Sequence, residues 1–558
     1  LQFPDTHIEQ TVNTIRGRTE RVSSPHIRFA PGLSLRYMKS LAPQVAVFTD
    51  GDHQLVLYPS GNRQSVRFAT YTLGYSGYAL HPNAQKALII MQNGGSAMAC
   101  ALAAGIHDTT LVVENPSLAA IISRHYGRKV ISRPPRSYLS GINEHFDIIQ
   151  VENWGPSIPG SAALNQNHLF THDAFVQYFK HLTQDGLIIV SRRLLLPPAD
   201  SLRLWAAAYE GLKKTAVKNP ADHMAVLRNW DTFVLLVSRQ PLHRTSRLKT
   251  FANEHNFDIV FLPGMSVKQA NRFNQFDAPY HFKEFNRMAT AYRQAKENAY
   301  FKSYLLDVRP QSDNRPFPGR YLKWPKVKTL YQTLGSRLYA LMMSGEIVVM
   351  VVFIEALVVS GLLLFLPLVF VRRYVQKPSW AQVLYFFGVG AGFMLVELFF
   401  IKKFILVFGD PVISFSVVVA GVLIFSSLGG AWAHRIQKSA LKKALLILIG
   451  MLFLTYVVLD PLLRMLLGAA AIWHYVVALL VLGPIGILMG LPFTIGMRDI
   501  LSSTAQRAYA WAANGCASVL ASIAAAQMAL MFGIPYILGC AIAAYGIVLL
   551  SWRQMNTA

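Results

Sequence analysis

Glu152 closes an apolar run, Phe146–Glu152, in which Asp147 is the second residue. A carboxylate at such an edge deprotonates an amine nucleophile or holds its ammonium form; the same placement also suits a purely structural carboxylate. Glu114 closes a second run, Thr109–Glu114, ahead of Asn115-Pro116. There a carboxylate accepts hydrogen bonds from ribose hydroxyls, or simply stands in solvent. A third run, Ala87–Ile90, is followed by Met91-Gln92-Asn93-Gly94-Gly95-Ser96. Gly94 and Gly95 let backbone approach a ligand and aim helix N–H groups at it, although a plain turn has the same composition. A further carboxylate, Glu397, is flanked by Met394, Leu395, Leu398 and Phe399, with Lys402 and Lys403 a turn or more away. Within a membrane such a residue faces a partner or a cavity. It reads either as a Glu–Lys clasp between helices, the lysine stems snorkelling, or as a polar site for a cationic or protonated ligand. Asn514 stands among Ala512, Ala513, Gly515, Ala517 and Ser518, a composition that permits close helix packing. Cys100, Cys516 and Cys540 form no CxxC or Cys/His cluster, so neither a metal site nor a disulfide scaffold is expected.

The elements that position these residues follow from the hydrophobic rhythm. Short continuous strands (Ala87–Ile90, Thr109–Glu114, Phe146–Glu152, Gly186–Ser191) alternate with helix-length segments, as in a doubly wound parallel sheet. Ligands of such sheets lie beyond the strand C-termini, where Gly94, Glu114 and Glu152 fall. Ahead of them, Gln44 to Thr72 alternates around Asp-Gly and Ser-Gly-Asn turns and predicts small antiparallel hairpins. From Glu346 onward the pattern changes to long apolar runs: Ile347–Val371, Trp380–Ile401, Val412–Trp432, Leu441–Leu459, Tyr475–Phe493, Tyr509–Phe532 and Ile534–Trp552. A bilayer core takes about 20 apolar residues as a helix, so about seven spans are predicted. The expected division is a small β-rich domain at 1–75, an α/β domain at 76–245, an α/β extension and linker at 246–338, and a transmembrane helical domain at 339–558.

Composition agrees. Of 558 residues 53% are hydrophobic and 15% charged, against about 25% charged in soluble chains, and mean hydropathy is +0.32. With 53 Lys and Arg against 29 Asp and Glu, the net charge is +24. That excess suits an anionic membrane surface; no aromatic-basic motif supports nucleic-acid binding. Leu1 to Gln10 contain no Met, basic n-region or apolar h-region, so the chain reads as a processed product or the rear part of something longer. With seven spans, ten basic residues fall opposite the α/β part: Arg372, Arg373, Lys377, Arg435, Lys438, Lys442, Lys443, Arg498, Arg507 and Arg553. Five fall on its own side: Lys328, Arg337, Lys402, Lys403 and Arg464. The positive-inside rule then places the α/β part outside the cytoplasm.

The succession ALII-MQNGGS, VVEN, PPRSYL (Pro134–Leu139), FDIIQVENWGP and HLTQDGLIIVS resembles the spermidine synthase group of aminopropyltransferases. PGLSLRY (Pro31–Tyr37), DNRPFP (Asp313–Pro318), GFMLVELFFIKKFIL (Gly392–Leu406) and GLPFTIGM…WAANGCASVLAS (Gly490–Ser522) are similar to a bacterial branch in which such a domain is fused to multi-pass helices. The resemblance implies a small N-terminal β-domain, a Rossmann-like methyltransferase-type domain and an inner-membrane location. Members of that branch often carry another helical segment before this domain. The resemblance also implies aminopropyl transfer from decarboxylated S-adenosylmethionine to putrescine, with Gly94 and Gly95 at the cofactor, Glu114 on its ribose and Glu152 as the catalytic acid/base.

The sequence departs from that pattern at five positions. Met91 and Asn93 replace glycines of the cofactor loop, and Met91 is expected to obstruct the cofactor. Pro134 replaces the Asp that binds the adenine amino group and brings neither a carboxylate nor an N–H. Glu152 is one methylene longer than the family's Asp, and Gly155 replaces its second Asp. Three readings follow: a pseudoenzyme without cofactor that docks protein partners in a membrane complex; a membrane-tethered aminopropyltransferase using decarboxylated S-adenosylmethionine; and a binder or transporter of polyamine-like cations through Glu152 and Glu397. Glu152→Gln, nearly isosteric, is expected to leave folding intact.

Overall fold

Four strands, β1 (His7–Thr14), β2 (Gly17–Ser23), β3 (Val45–Thr49) and β4 (Asp52–Leu57), form an antiparallel meander in the order β1-β2-β3-β4. Asp50 and Gly51, with φ of 50° and 73°, link the paired residues Thr49 and Asp52. Positive φ at both central residues is what a two-residue hairpin requires. The computed structural model describes residues 4–60, 63–155, 163–242, 245–334, 345–370 and 378–557. Of the residues singled out above, Gly61, Asn62, Pro156, Arg337, Arg372, Arg373 and Lys377 lie outside the described residues. The chain divides into two units, Leu1–Leu341 and Met342–Ala558.

In the first unit β5 (Lys86–Met91), β6 (Asp108–Val113), β7 (Val130–Ser132), β8 (Phe146–Glu152), β9 (Leu182–Arg193), β10 (Met224–Arg228), β11 (Thr232–Ser238) and β12 (Asp258–Phe261) make one sheet. Their order is β12-β10-β11-β9-β8-β5-β6-β7. The five strands from β5 to β9 are parallel, and β11 runs antiparallel to both β9 and β10. Among the described residues, ten α-helices accompany the strands: α1 (Ser76–Leu80), α2 (Ser96–Ala104), α3 (Pro116–Tyr126), α4 (Pro135–Ser140), α5 (His172–Lys180), α6 (Asp200–Lys214), α7 (Ser246–Glu254), α8 (Tyr280–Arg293), α9 (Glu297–Ser303) and α10 (Val327–Leu334). This is the Rossmann-like, methyltransferase-type domain with its small N-terminal β-sheet that the sequence predicts. Buried runs such as Ala87–Met91 and Ile148–Glu152 explain the strands' continuous hydrophobicity, since both faces of a parallel sheet are covered. The chain leaves β5 for β6 on one side and β8 for β9 on the other, so the switch point, where ligands bind in such sheets, lies between β5 and β8. Register brings Met91 opposite Glu152, and Glu152 opposite Ser191, at that edge.

One expectation fails. Gln64 to Tyr75 folds not as hairpin strands but as two 3₁₀ turns, Arg67–Tyr71 and Leu73–Tyr75. Val66, Phe68, Ala69 and Leu73 are all buried. A strand would send adjacent Phe68 and Ala69 to opposite faces, whereas a helical turn buries both.

The second unit is helical: α11 (Gly345–Phe370), α12 (Trp380–Phe408), α13 (Pro411–Trp432), α14 (Leu441–Leu466), α15 (Ala471–Asp499), α16 (Thr504–Met531) and α17 (Pro535–Thr557). Among the described residues, seven helices are long and apolar enough to cross a bilayer, which makes the chain a multi-pass membrane protein. Their ends carry local signals. Ser379 and Gln382 form a capping box at the start of α12. Asp410 caps α13 through the Val412 and Ile413 N–H groups, with Pro411 at its first turn. Small residues let helices touch. A Cβ at Gly429 would overlap the Ile487 carbonyl, and one at Gly490 the Ser426 carbonyl, so α13 and α15 meet backbone to backbone. Asn514 serves packing: its Nδ2 donates to the Phe386 carbonyl at 3.3 Å, and its backbone leaves no room for a Cβ at Gly390.

Candidate functional site

The turn between β5 and α2 sits at the switch point, held from two sides. Gly94 N–H donates to the Gln54 carbonyl at 3.0 Å and Val56 N–H donates to the Gly94 carbonyl at 2.8 Å, stitching the turn to β4. Gly94 and Gly95 have φ of +99° and +102°, a region closed to most side chains. Helix α2 therefore starts with its first N–H groups aimed across the turn toward the end of β8.

Those N–H groups are already taken. Glu152 Oε2 accepts from Gly95 N–H at 3.0 Å and Ala97 N–H at 2.9 Å. Its Oε1 accepts from Ser96 N–H at 3.1 Å, Ser96 Oγ–H at 2.5 Å and Trp154 Nε1–H at 2.9 Å. One carboxylate thus answers five donors at a helix N-terminus, the charge a helix start favours. Glu152 is 1% exposed. Burial pushes its carboxyl above the ordinary carboxylate value, while Ser96, Ala97, Trp154 and Gly95 pull the other way. Burial also pushes the neighbouring Cys100 thiol up to about 12, the Thr72 hydrogen bond pulling against it and the Glu152 charge adding to it. That thiol is no nucleophile.

The same arrangement fills the space over the glycines. A Cβ on Gly94 would meet the Glu152 carboxylate and, at 2.6 Å, Trp154 Nε1; one on Gly95 would overlap the Val56 carbonyl. The face along which a ligand would approach Gly94 is lined by the protein's own carboxylate and indole. Asn93 completes the closure: its Oδ1 accepts from Trp154 N–H at 2.7 Å and its Nδ2 donates to the Gly155 carbonyl at 3.2 Å. Met91 is not the obstruction expected of it, because its side chain is buried within the core cluster. The near-isosteric Glu152→Gln is not conservative either. Each carboxylate oxygen accepts at least two N–H or O–H donors, so an amide NH₂ would face donors whichever way it is placed.

Glu114, half-buried just beyond β6, reaches the same edge. Its Oε2 accepts from Gln92 Nε2 at 3.4 Å, and its carbonyl accepts from the Arg16 guanidinium of the first hairpin. Gln92 Oε1 in turn accepts from Asn153 and Asn167. The structure therefore sets Glu152 against Gly94 and Gly95 and bonds it to the loop, while Glu114, at the same edge, is tied to Gln92 and Arg16.

Sequence reasoning missed the donors Ser96 and Trp154, and it missed a buried ion pair nearby. Arg136 forms a two-pronged pair with Asp313 at 2.9 and 3.0 Å, and Thr171 Oγ1 donates to the same carboxylate at 2.8 Å. The pair docks the DNRPFP segment onto α4 and α5. Asp307 gathers Arg309, Arg315 and Arg320. Charged residues interleaved with prolines were the available signal, since such a segment cannot form regular structure and has to be pinned by side chains. In the second unit the clasp is Lys403 with Asp460, joining α12 to α14, and not Glu397 with a lysine. Glu397 is 9% exposed and makes no hydrogen bond or ion pair among the described residues; Lys402 is half-buried.

No protein-family model matches the sequence, and no curated protein does. Among solved structures, the chain is similar to a spermidine synthase in complex with the transition-state analogue AdoDATO, at 12% identity and TM-score 0.29 over 52% of this chain and 87% of that one. It is also similar to the spermidine synthase of Thermotoga maritima, at 13% identity and TM-score 0.29, over 52% and 88% of the two chains. A probable spermidine synthase of Corynebacterium glutamicum gives 14% identity and TM-score 0.32 over 51% and 95%. The fold assignment stands on the strand order and register above, to which likenesses at this level add nothing.

Proposed function

We propose that this chain is a spermidine synthase-like membrane protein whose adenosyl-cofactor place is filled by its own Glu152, and that it docks protein partners in a membrane assembly without transferring aminopropyl groups. One observation carries the reading: the Glu152 carboxylate lies in the cradle of Gly95, Ser96 and Ala97 N–H groups, over the face of Gly94. The residues at this edge do not fit decarboxylated S-adenosylmethionine. The loop's donors are consumed, Pro134 offers adenine neither carboxylate nor N–H, and Arg136 is committed to Asp313. Glu114 has the chemistry to hold a ribose, but its carboxylate is engaged by Gln92. A catalytic acid/base also needs access to its proton, and Glu152 has none while five donors enclose it.

The resemblance supports a bacterial inner-membrane location, and the bias of basic residues supports an extracytoplasmic α/β unit, where cytosolic adenosyl compounds do not reach. Calorimetry on the full-length protein in detergent tests the reading. Decarboxylated S-adenosylmethionine at millimolar concentration is expected to give no saturable heat. Micromolar affinity would sink the proposal and return the chain to the aminopropyltransferases.

A further inference from the structure

Among the described residues, α11 is held from one side. Gln527 Nε2 donates to the Glu346 carbonyl at 2.8 Å and Cys516 Sγ to the Ser360 carbonyl at 3.6 Å, so α16 covers the face bearing Glu346, Ser360 and Leu364, all buried. The opposite face is bare. Val351, Val352, Val359 and Leu362 are between 43% and 57% exposed, and Glu355, in the same stripe, is exposed with them. Residues 351, 355, 359 and 362 follow the i, i+4, i+8, i+11 spacing of one helix face.

Glu355 is the eleventh residue of a 26-residue helix. At 1.5 Å per residue it lies about 15 Å from the helix start, deep in a hydrocarbon core about 30 Å thick. A glutamate stem is too short to snorkel out from there as a lysine does. Among the described residues no donor or cation reaches its carboxylate, whereas Lys403, Ser414 and Tyr385 in the same unit each have a partner. A carboxylate at this depth marks a polar contact that the described residues do not supply.

We propose that the exposed face of α11 seats a transmembrane helix of another polypeptide, one that carries a lysine or arginine at the depth of Glu355. The inference rests on the partner-docking reading above and names the surface and chemistry of one partner. Charge decides against a second copy: α11 holds no Lys, Arg or His, so a symmetric contact would set Glu355 against Glu355. Elsewhere in the unit Lys403 is committed to Asp460 and Lys402 is half-buried. The bare valine and leucine stripe supplies the close-packed surround that excludes lipid from the ion pair.

The test uses the full chain in its native membranes, with a photo-cross-linking amino acid at Val351 or Val359. Irradiation is expected to give a discrete adduct with a polypeptide whose transmembrane helix carries a Lys or Arg. Glu355→Leu should lower its yield about ten-fold or more, because it leaves the partner's cation buried without a counter-charge. Glu355→Lys should do the same, and should be rescued when the partner's basic residue is changed to Glu. Glu355→Leu makes the helix more apolar, so insertion is not at risk, and monodisperse elution in detergent checks the fold. Adducts with lipid alone, adducts with further copies of this chain, or an adduct unchanged by Glu355→Leu would overturn the inference. Cofactor calorimetry is read separately, so this surface and the closed site fail independently.

Discussion

Glu152 in the α/β unit is buried and accepts five hydrogen bonds, whereas Glu355 in the membrane unit is exposed and, among the described residues, accepts none. In one case the fold has brought donors to the carboxylate and left nothing for a ligand to bind. In the other, the hydrogen-bonding and charge demands of the side chain are handed to whatever meets the helix. A functional carboxylate is therefore recognised less by its place in a motif than by whether the surrounding donors are complete.

The largest effect should come from emptying the closed site. Glu152→Ala orphans the Gly95, Ser96 and Ala97 N–H groups together and is expected to destabilise the α/β unit by about 4–5 kcal/mol, read by urea unfolding of the full chain. Loss of less than about 1 kcal/mol, the net worth of one ordinary hydrogen bond, would mean that the cradle is loose. Breaking the Arg136–Asp313 pair calibrates this number, because it too is buried and two-pronged but lies outside the loop. Arg136→Met should cost about 3–4 kcal/mol. Gly94→Ala comes next, at about 2 kcal/mol, since it combines a left-handed backbone with a Cβ driven into the Glu152 carboxylate.

The pH profile separates the two kinds of buried acid. Asp173, pushed up by burial but drawn further down by its His172 hydrogen bond, lies at about 2. Its folded value is depressed, so its contribution is present above about pH 4 and lost as pH falls through about 2. Glu152 has the opposite sign. Burial raises its folded value, so the native state takes up the proton first, and stability falls as pH rises through the window above its unfolded value. A melting series from pH 7 to 2, with Asp173→Asn alongside, should show the acid-side loss shrink in the variant. The smallest effect is expected at the other glutamate: Glu355→Leu should leave unfolding of the purified protein within about 0.5 kcal/mol of the parent. A large loss there would mean that Glu355 is held inside this chain after all.

Much of the fold was legible because it is written in periodicity. Phe146–Glu152 runs as β8 from end to end, and the apolar run expected at Val412–Trp432 is α13 but for its first residue. The site was legible as a location, because Gly94, Glu114 and Glu152 fall at or just beyond the C-terminal ends of strands, and those ends share one edge. Its closure was not. Three of the donors to Glu152 are backbone N–H groups, which every residue carries and no sequence pattern distinguishes. The indole of Trp154 was seen only as part of a motif. Arg136 and Asp313 are 177 positions apart, and nothing local pairs them. The Phe68-Ala69 turn looked like a strand because alternation over a few residues does not separate the two periods.

Hydrogen exchange of the Gly94–Cys100 segment in the full-length protein, followed with and without decarboxylated S-adenosylmethionine, tests the closed site most directly. With the cradle closed, the Gly95, Ser96 and Ala97 amides are expected to exchange slowly in the free protein, the compound to leave their rates unchanged, and Glu152→Ala to expose them. Amides that exchange freely in the parent and become protected when the compound is added would contradict it, and would show the cradle to be a cofactor site.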